Sequence, residues 1–220
     1  MQFNLAFLPL GIMDFLNPIV YTLFFVQLMK GLKEKNTDEG LMKVLKVGAI
    51  ISLASGYIIA TGKTLVGFGL FDFELPVPLF WATGVGFVLS GLALLFIYKK
   101  KTFSGIAAWL KILVLVVLAG LTVAILFVLD PVKGNSITQG VTAIGTFMLY
   151  GTMIAFAARD KNKVALILAI IPILTTAGLI PYSASVDLTD PATHWVIEPT
   201  NIAGQVALWL SARSLFKNKK

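Results

Sequence analysis

The chain has 220 residues, 57% hydrophobic and 13% charged, with a net charge of +7 and a mean hydropathy of +0.88. Soluble domains carry about 25% charged residues, so the polar residues here are too few to make an aqueous skin, and lipid must cover the outside. With no Cys and one His, disulfides, thiolate chemistry, Fe–S clusters, Cys-based zinc sites and a haem held by two His of one chain are excluded.

The chain opens Met1-Gln2-Phe3-Asn4 and turns apolar at once. No basic segment precedes the apolar run, so a cleavable signal peptide is not expected. The first apolar stretch, 5–28, has about the 20 residues a bilayer requires, and Lys30, Lys33 and Lys35 close it. Further stretches follow at 44–62, 79–98, 106–129, 138–158, 164–180 and 199–216. Lys99-Lys100-Lys101 ends the third and Arg159-Asp160-Lys161 the fifth. Asp130-Pro131 and Pro181 are read as stops, because proline pushes the residue before it out of helical geometry. The runs are too long and too evenly apolar for barrel strands, so they are helices. The expected fold is an all-α integral membrane protein, a single domain made of a bundle of seven transmembrane helices.

Sixteen of the eighteen Lys and Arg flank the first, third and fifth connections and the C-terminus; Lys63 and Lys133 are the exceptions. Basic residues in short loops mark the cytoplasmic side. The pattern predicts an N-terminus outside, a C-terminus inside, and residence in the cell inner membrane. It also removes the reading of the positive charge as a nucleic-acid surface.

Four groups of residues suit chemistry. Asp14, Asn17 and Tyr21 recur on one face of the first span. Pro18 among them frees a carbonyl near Asp14 and is expected to kink the helix. An ionisable group at that depth costs at least about 2.5–3.5 kcal/mol and marks a functional site by default. The competing reading is a polar seam that joins helices.

The string Asn17-Pro18-Ile19-Val20-Tyr21 resembles the NPxxY motif of rhodopsin-like G-protein-coupled receptors. In that family the motif lies in the last span; here it lies in the first, and no receptor function is carried over. The seven-span plan also resembles small sugar porters, but Pro18 and Pro172 do not occupy matching places in the two halves.

The second group opens the seventh span. Asn201 and Gln205 share a face with Trp209, and Glu198 reads best as the acid that favours a helix N-terminus. A site between spans one and seven is expected from these residues together with Asp14. The third group is an outer acidic loop, 182–199, carrying Asp187, Asp190, His194 and Glu198, which has hard-metal ligand types without a recognisable metal spacing. Trp195, Trp81 and Tyr182 are read as headgroup-level anchors. The fourth is a set of hydroxyls in the spans, including Ser52, Ser55, Ser90 and Thr142, which interhelical packing explains. Pro172 is a kink or gate hinge in the sixth span. No lysine stands inside a span where it could hold retinal; Lys111, near a cytoplasmic end, should snorkel to water.

These features favour a transporter of a small solute or an ion, with Asp14, Asn17, Tyr21, Asn201 and Gln205 along its path. A ligand-binding or sensing subunit is the alternative. A membrane enzyme comes third, since no nucleophile–base pair is recognisable. No cofactor and no resident metal are implied. The expected partners are the bilayer and an unidentified small molecule or ion, and an oligomer or partner subunit is compatible with the sequence.

Overall fold

A computed structural model describes residues 7–70, 77–107, 115, 131–186 and 191–217. Every regular element among them is an α-helix: α1 (Phe7–Asp14), α2 (Leu16–Glu34), α3 (Glu39–Gly67), α4 (Val77–Tyr98), α5 (Pro131–Arg159), α6 (Lys163–Ser185) and α7 (Pro191–Leu215). Five helical stretches are long and apolar enough to cross a membrane: Leu8–Glu34, Glu39–Gly67, Trp81–Tyr98, Thr138–Arg159 and Lys163–Ser183. The chain is thus compatible with a multi-pass membrane protein. The stretch expected at 106–129 lies almost wholly outside the described residues.

Two prolines, Pro181 and Pro199, act differently from the sequence expectation, while Pro131 opens a helix. Pro131 is the first residue of α5, the position where a missing N–H costs nothing and a fixed φ is already helical. Pro181 does not end α6, which continues to Ser185 with Pro172 and Pro181 both inside it. Pro199 does not begin α7, which starts at Pro191 and carries Pro199 in its interior. Interior proline is tolerated in membrane helices because neighbouring groups re-satisfy the freed backbone. Hydroxyls beside two of these prolines bond local carbonyls: Thr175 Oγ1 donates to the Pro172 carbonyl at 3.1 Å, and Thr200 Oγ1 to the Val196 carbonyl at 2.7 Å.

Helix ends follow local rules. Asp38 caps α3, accepting from the Leu41 N–H at 2.9 Å and the Phe103 N–H at 3.1 Å. These two N–H groups hold its carboxyl below the usual carboxylate range. Lys100 and Lys161 take positive φ just past α4 and α5, where the following N–H groups bond back to the last carbonyls.

The chain divides into two compact units, one of residues 1–31, 56–75 and 153–220, the other of 32–55 and 76–152. In the first, α6 packs along α7, and α1 packs against α7. Along α1 and α2, Ile12, Leu16, Ile19, Leu23 and Val26 form an exposed stripe, while Leu10, Val20, Phe24, Phe25 and Leu28 are buried. The spacing of three and four residues puts each set on its own face. An exposed stripe of that length suits contact with lipid chains.

In the second unit, small residues let backbones approach. Gly48 and Ser52 of α3 meet Gly86 and Ser90 of α4, and Gly145 of α5 meets Val88 and Phe87. Ser55 and Thr83 share a hydrogen bond at 2.7 Å, while the buried Ser90 hydroxyl has no hydrogen-bond partner among the described residues. Trp81 is buried in this unit's core rather than at a headgroup surface, whereas Trp195 is exposed.

A Cβ at Gly86 would lie 2.5 Å from the Ser52 nitrogen and 2.6 Å from the Gly48 carbonyl oxygen, whereas one at Gly140 would meet nothing. Overpacking costs about 1–3 kcal/mol. Gly86→Leu is therefore expected to lower the melting temperature in detergent clearly, and Gly140→Leu to leave it unchanged; equal melting of the two variants contradicts the packing.

Candidate functional site

The site is built where α1 stops. Pro18 has no N–H to give the Asp14 carbonyl, and its ring crowds that carbonyl. The helix breaks at Phe15, whose N–H bonds the Ile12 carbonyl at 3.2 Å, and it resumes at Leu16. Asp14 is thereby the last residue of α1 and faces inward, 5% exposed. At Gly11, one turn earlier, the backbone of α1 comes against Thr64 of α3, where a Cβ would sit 2.8 Å from the Thr64 Cα. That approach sets Asp14 beside Lys63.

Lys63 Nζ lies 2.5 Å from Asp14 Oδ2 and 3.3 Å from Glu198 Oε1. One ammonium thus joins a carboxylate from α1 to one from α7. His194, one turn before Glu198 on α7, places Nδ1 3.5 Å from the same Oε1. The other oxygen, Glu198 Oε2, accepts from Asn17 Nδ2 at 2.9 Å, and Asn17 Oδ1 accepts from Gln205 Nε2 at 2.8 Å. A carboxylate only accepts, so Glu198 fixes the direction of this amide chain and leaves Gln205 Oε1 at its far end. Asp14 Oδ1 and Gln205 Oε1 are buried without a hydrogen-bond partner among the described residues.

Of the residues singled out from the sequence, Asp14, Asn17, His194, Glu198 and Gln205 come together. Tyr21 is half-buried with its ring 6.4 Å from Phe25. Asn201 is half-buried on α7, and none of the hydrogen bonds described above involves it. Pro172 is buried in α6 and lies against Gly204, the neighbour of Gln205. Asp187 and Asp190 lie outside the described residues.

Two placements differ from expectation. Glu198 is not a capping acid: α7 begins at Pro191, so Glu198 stands well inside the helix, buried and ion-paired. His194 and Glu198 belong to a helix rather than to a solvated loop, and no group of three or more His, Asp or Glu is arranged for a metal among the described residues. Lys63 was missed as a site residue. Its signal was present: with Lys133 it stands apart from the other sixteen basic residues, and a carboxylate inside an apolar stretch needs a partner.

No protein-family model, curated protein or solved structure matches the chain. The function is therefore argued from the site itself.

Removing one partner of a buried ion pair costs about 3–5 kcal/mol, because the other charge is left uncompensated. Lys63→Met is expected to destabilise the protein in detergent by that order, and the double variant Lys63→Met/Asp14→Asn to recover much of the loss. Strictly additive effects of the two substitutions would remove the pairing.

Proposed function

We propose that this chain is a small membrane transporter in which a small polar solute or an ion passes the cluster between α1, α2 and α7. The observation that carries this reading is the cluster itself: Asp14, Lys63 and Glu198 bound together at the end of a broken helix. Charged groups inside the membrane mark ion and substrate paths, and discontinuous helices build such sites in transporters. The unpartnered oxygens Asp14 Oδ1 and Gln205 Oε1 are polar groups a passing solute would satisfy.

The proposed topology has seven spans, with α7 as the last, the N-terminus outside and the Lys- and Arg-rich loops in the cytoplasm. Two things support it. Lys63, one of the two basic residues on the outer side, is engaged by Asp14 and Glu198 rather than left free in a loop. Asp14, Lys63 and Glu198 belong to the outer ends of three different spans in this topology, and they meet. Gly204, the residue before Gln205, packs against the buried Pro172 of α6, and in this reading Pro172 serves as a gate hinge.

Purified protein in liposomes, challenged with monovalent cations, sugars and amino acids in turn, is expected to pass one of these classes. Asp14→Asn and Gln205→Leu should reduce that flux to background while the protein stays monodisperse in detergent. Saturable binding from the outer side with no flux of any solute would make the chain a binding subunit instead.

A further inference from the structure

The cluster does not balance in charge. With His194 neutral, two carboxylates face one ammonium, and the surplus negative charge is buried, Asp14 being 5% and Glu198 7% exposed. The titratable groups around it are Asp14 from α1, Lys63 from α3, and His194 and Glu198 from α7. The intervening length of α2, Leu16 to Met29, holds no charged residue and only Tyr21; Tyr57 of α3 bonds Thr22. α6 has no charged residue between Val164 and Ser185, and only Tyr182 titrates there. Among the described residues, His194 apart, no further cation pairs with Asp14 or Glu198, so with His194 neutral a mobile positive charge must balance the site.

The two carboxylates are held unequally. Glu198 has three partners: Lys63, His194 and the Asn17 amide. Asp14 has a single cationic partner, Lys63, through Oδ2; its other close charged neighbour is the Glu198 carboxylate, and its Oδ1 meets no donor. Asp14 also ends α1, where the negative end of the helix dipole stands beside its carboxylate.

We propose that Asp14 is the proton-exchanging group of this site, and that taking up a proton releases α1 from Lys63. The step is a simple binding: one proton adds to the Asp14 carboxylate, and Lys63 is left paired with Glu198 in a neutral cluster. Without its ion pair, α1 keeps the break at Phe15 as a hinge and only packing contacts to α3 and α7. The proton is then the coupling ion of the transporter. That last clause rests on the transport reading; the uptake and the release do not.

The test therefore uses no flux. Infrared difference spectra of the detergent-solubilised protein between about pH 5 and about pH 8, the window that also covers the imidazole, should show one carboxylic acid gained on acidification. Asp14→Asn should lose it because the acceptor is gone. Glu198→Gln should lose it because Asp14 and Lys63 then balance each other, which guards against a variant of Asp14 that fails to fold. Lys63→Met should gain a second acid.

The chain has no Cys, so Ile12→Cys and Ile58→Cys, both exposed, can carry spin labels without background. Their separation should change with pH in the otherwise unaltered protein and stay fixed in Asp14→Asn. An acid band that survives Asp14→Asn, or an imidazole titration with no carboxylic acid, overturns the assignment of the proton; a constant label distance overturns the release. If both results hold and no solute moves, the site stands and the transport reading falls.

Discussion

The Lys63 ammonium is the contact on which the site depends. In water an ion pair of this kind contributes about 0–1 kcal/mol, and three helices would not be held by it. Away from water, each charge is costly unless compensated, so the geometry that compensates it becomes obligatory. Asp14 must reach Lys63, which requires α1 to stop at Asp14 and to lie close against Thr64. Glu198 must reach the same ammonium from α7. The break that Pro18 imposes, the small residue at position 11 and the acid inside α7 together bring neighbours to that one charge.

The hydroxyls show the same solvent acting in the opposite way. Thr22, Thr61, Thr64, Thr142, Thr152 and Thr200 each donate to the carbonyl four residues back on their own helix. A hydroxyl has a local solution, so its presence in a span says little about a path. Carboxylates, ammonium groups and primary amides have no such local solution on a helix. Asn17, Gln205, Asp14, Lys63 and Glu198 bond between elements because each carries more polar capacity than its own helix can absorb. Both a site and the polar seam that joins helices are built from such bonds between elements.

Much of this was legible in the sequence, and the failures have physical causes. The apolar runs announced long helices, and five helical stretches long and apolar enough to cross a membrane are present among the described residues. Asp14 and Asn17 were legible as one face around Pro18, because i, i+3 spacing and a missing N–H are local facts. Gln205 was legible as part of the facing helix for the same reason. Glu198 was misjudged because Glu-Pro-Thr reads as a helix start; the stronger preference for apolar backbone to remain helical carried α7 back to Pro191. Lys63 was overlooked because its partners are 49 and 135 residues away in the chain, and pairing across that distance leaves no periodic trace. The boundary at Pro181 failed because a proline inside a helix can be tolerated where neighbouring groups satisfy the freed backbone.

The amide chain adds a direction to the cluster. Because Glu198 accepts only, Asn17 must turn its nitrogen toward it and its oxygen toward Gln205. The last oxygen, on Gln205, therefore stands two side chains from the charge at Glu198, and the residue before it, Gly204, packs against Pro172 of α6. A contiguous row of contacts is not in itself coupling; coupling needs an element with two arrangements that both ends bias. Among the described residues, α1 is the element that combines a helix break at one end with a charge on the last residue before it. A half-helix tethered by one ion pair can take two positions, whereas α7, held by Lys63, Asn17 and the length of α6, is the fixed wall against which it moves.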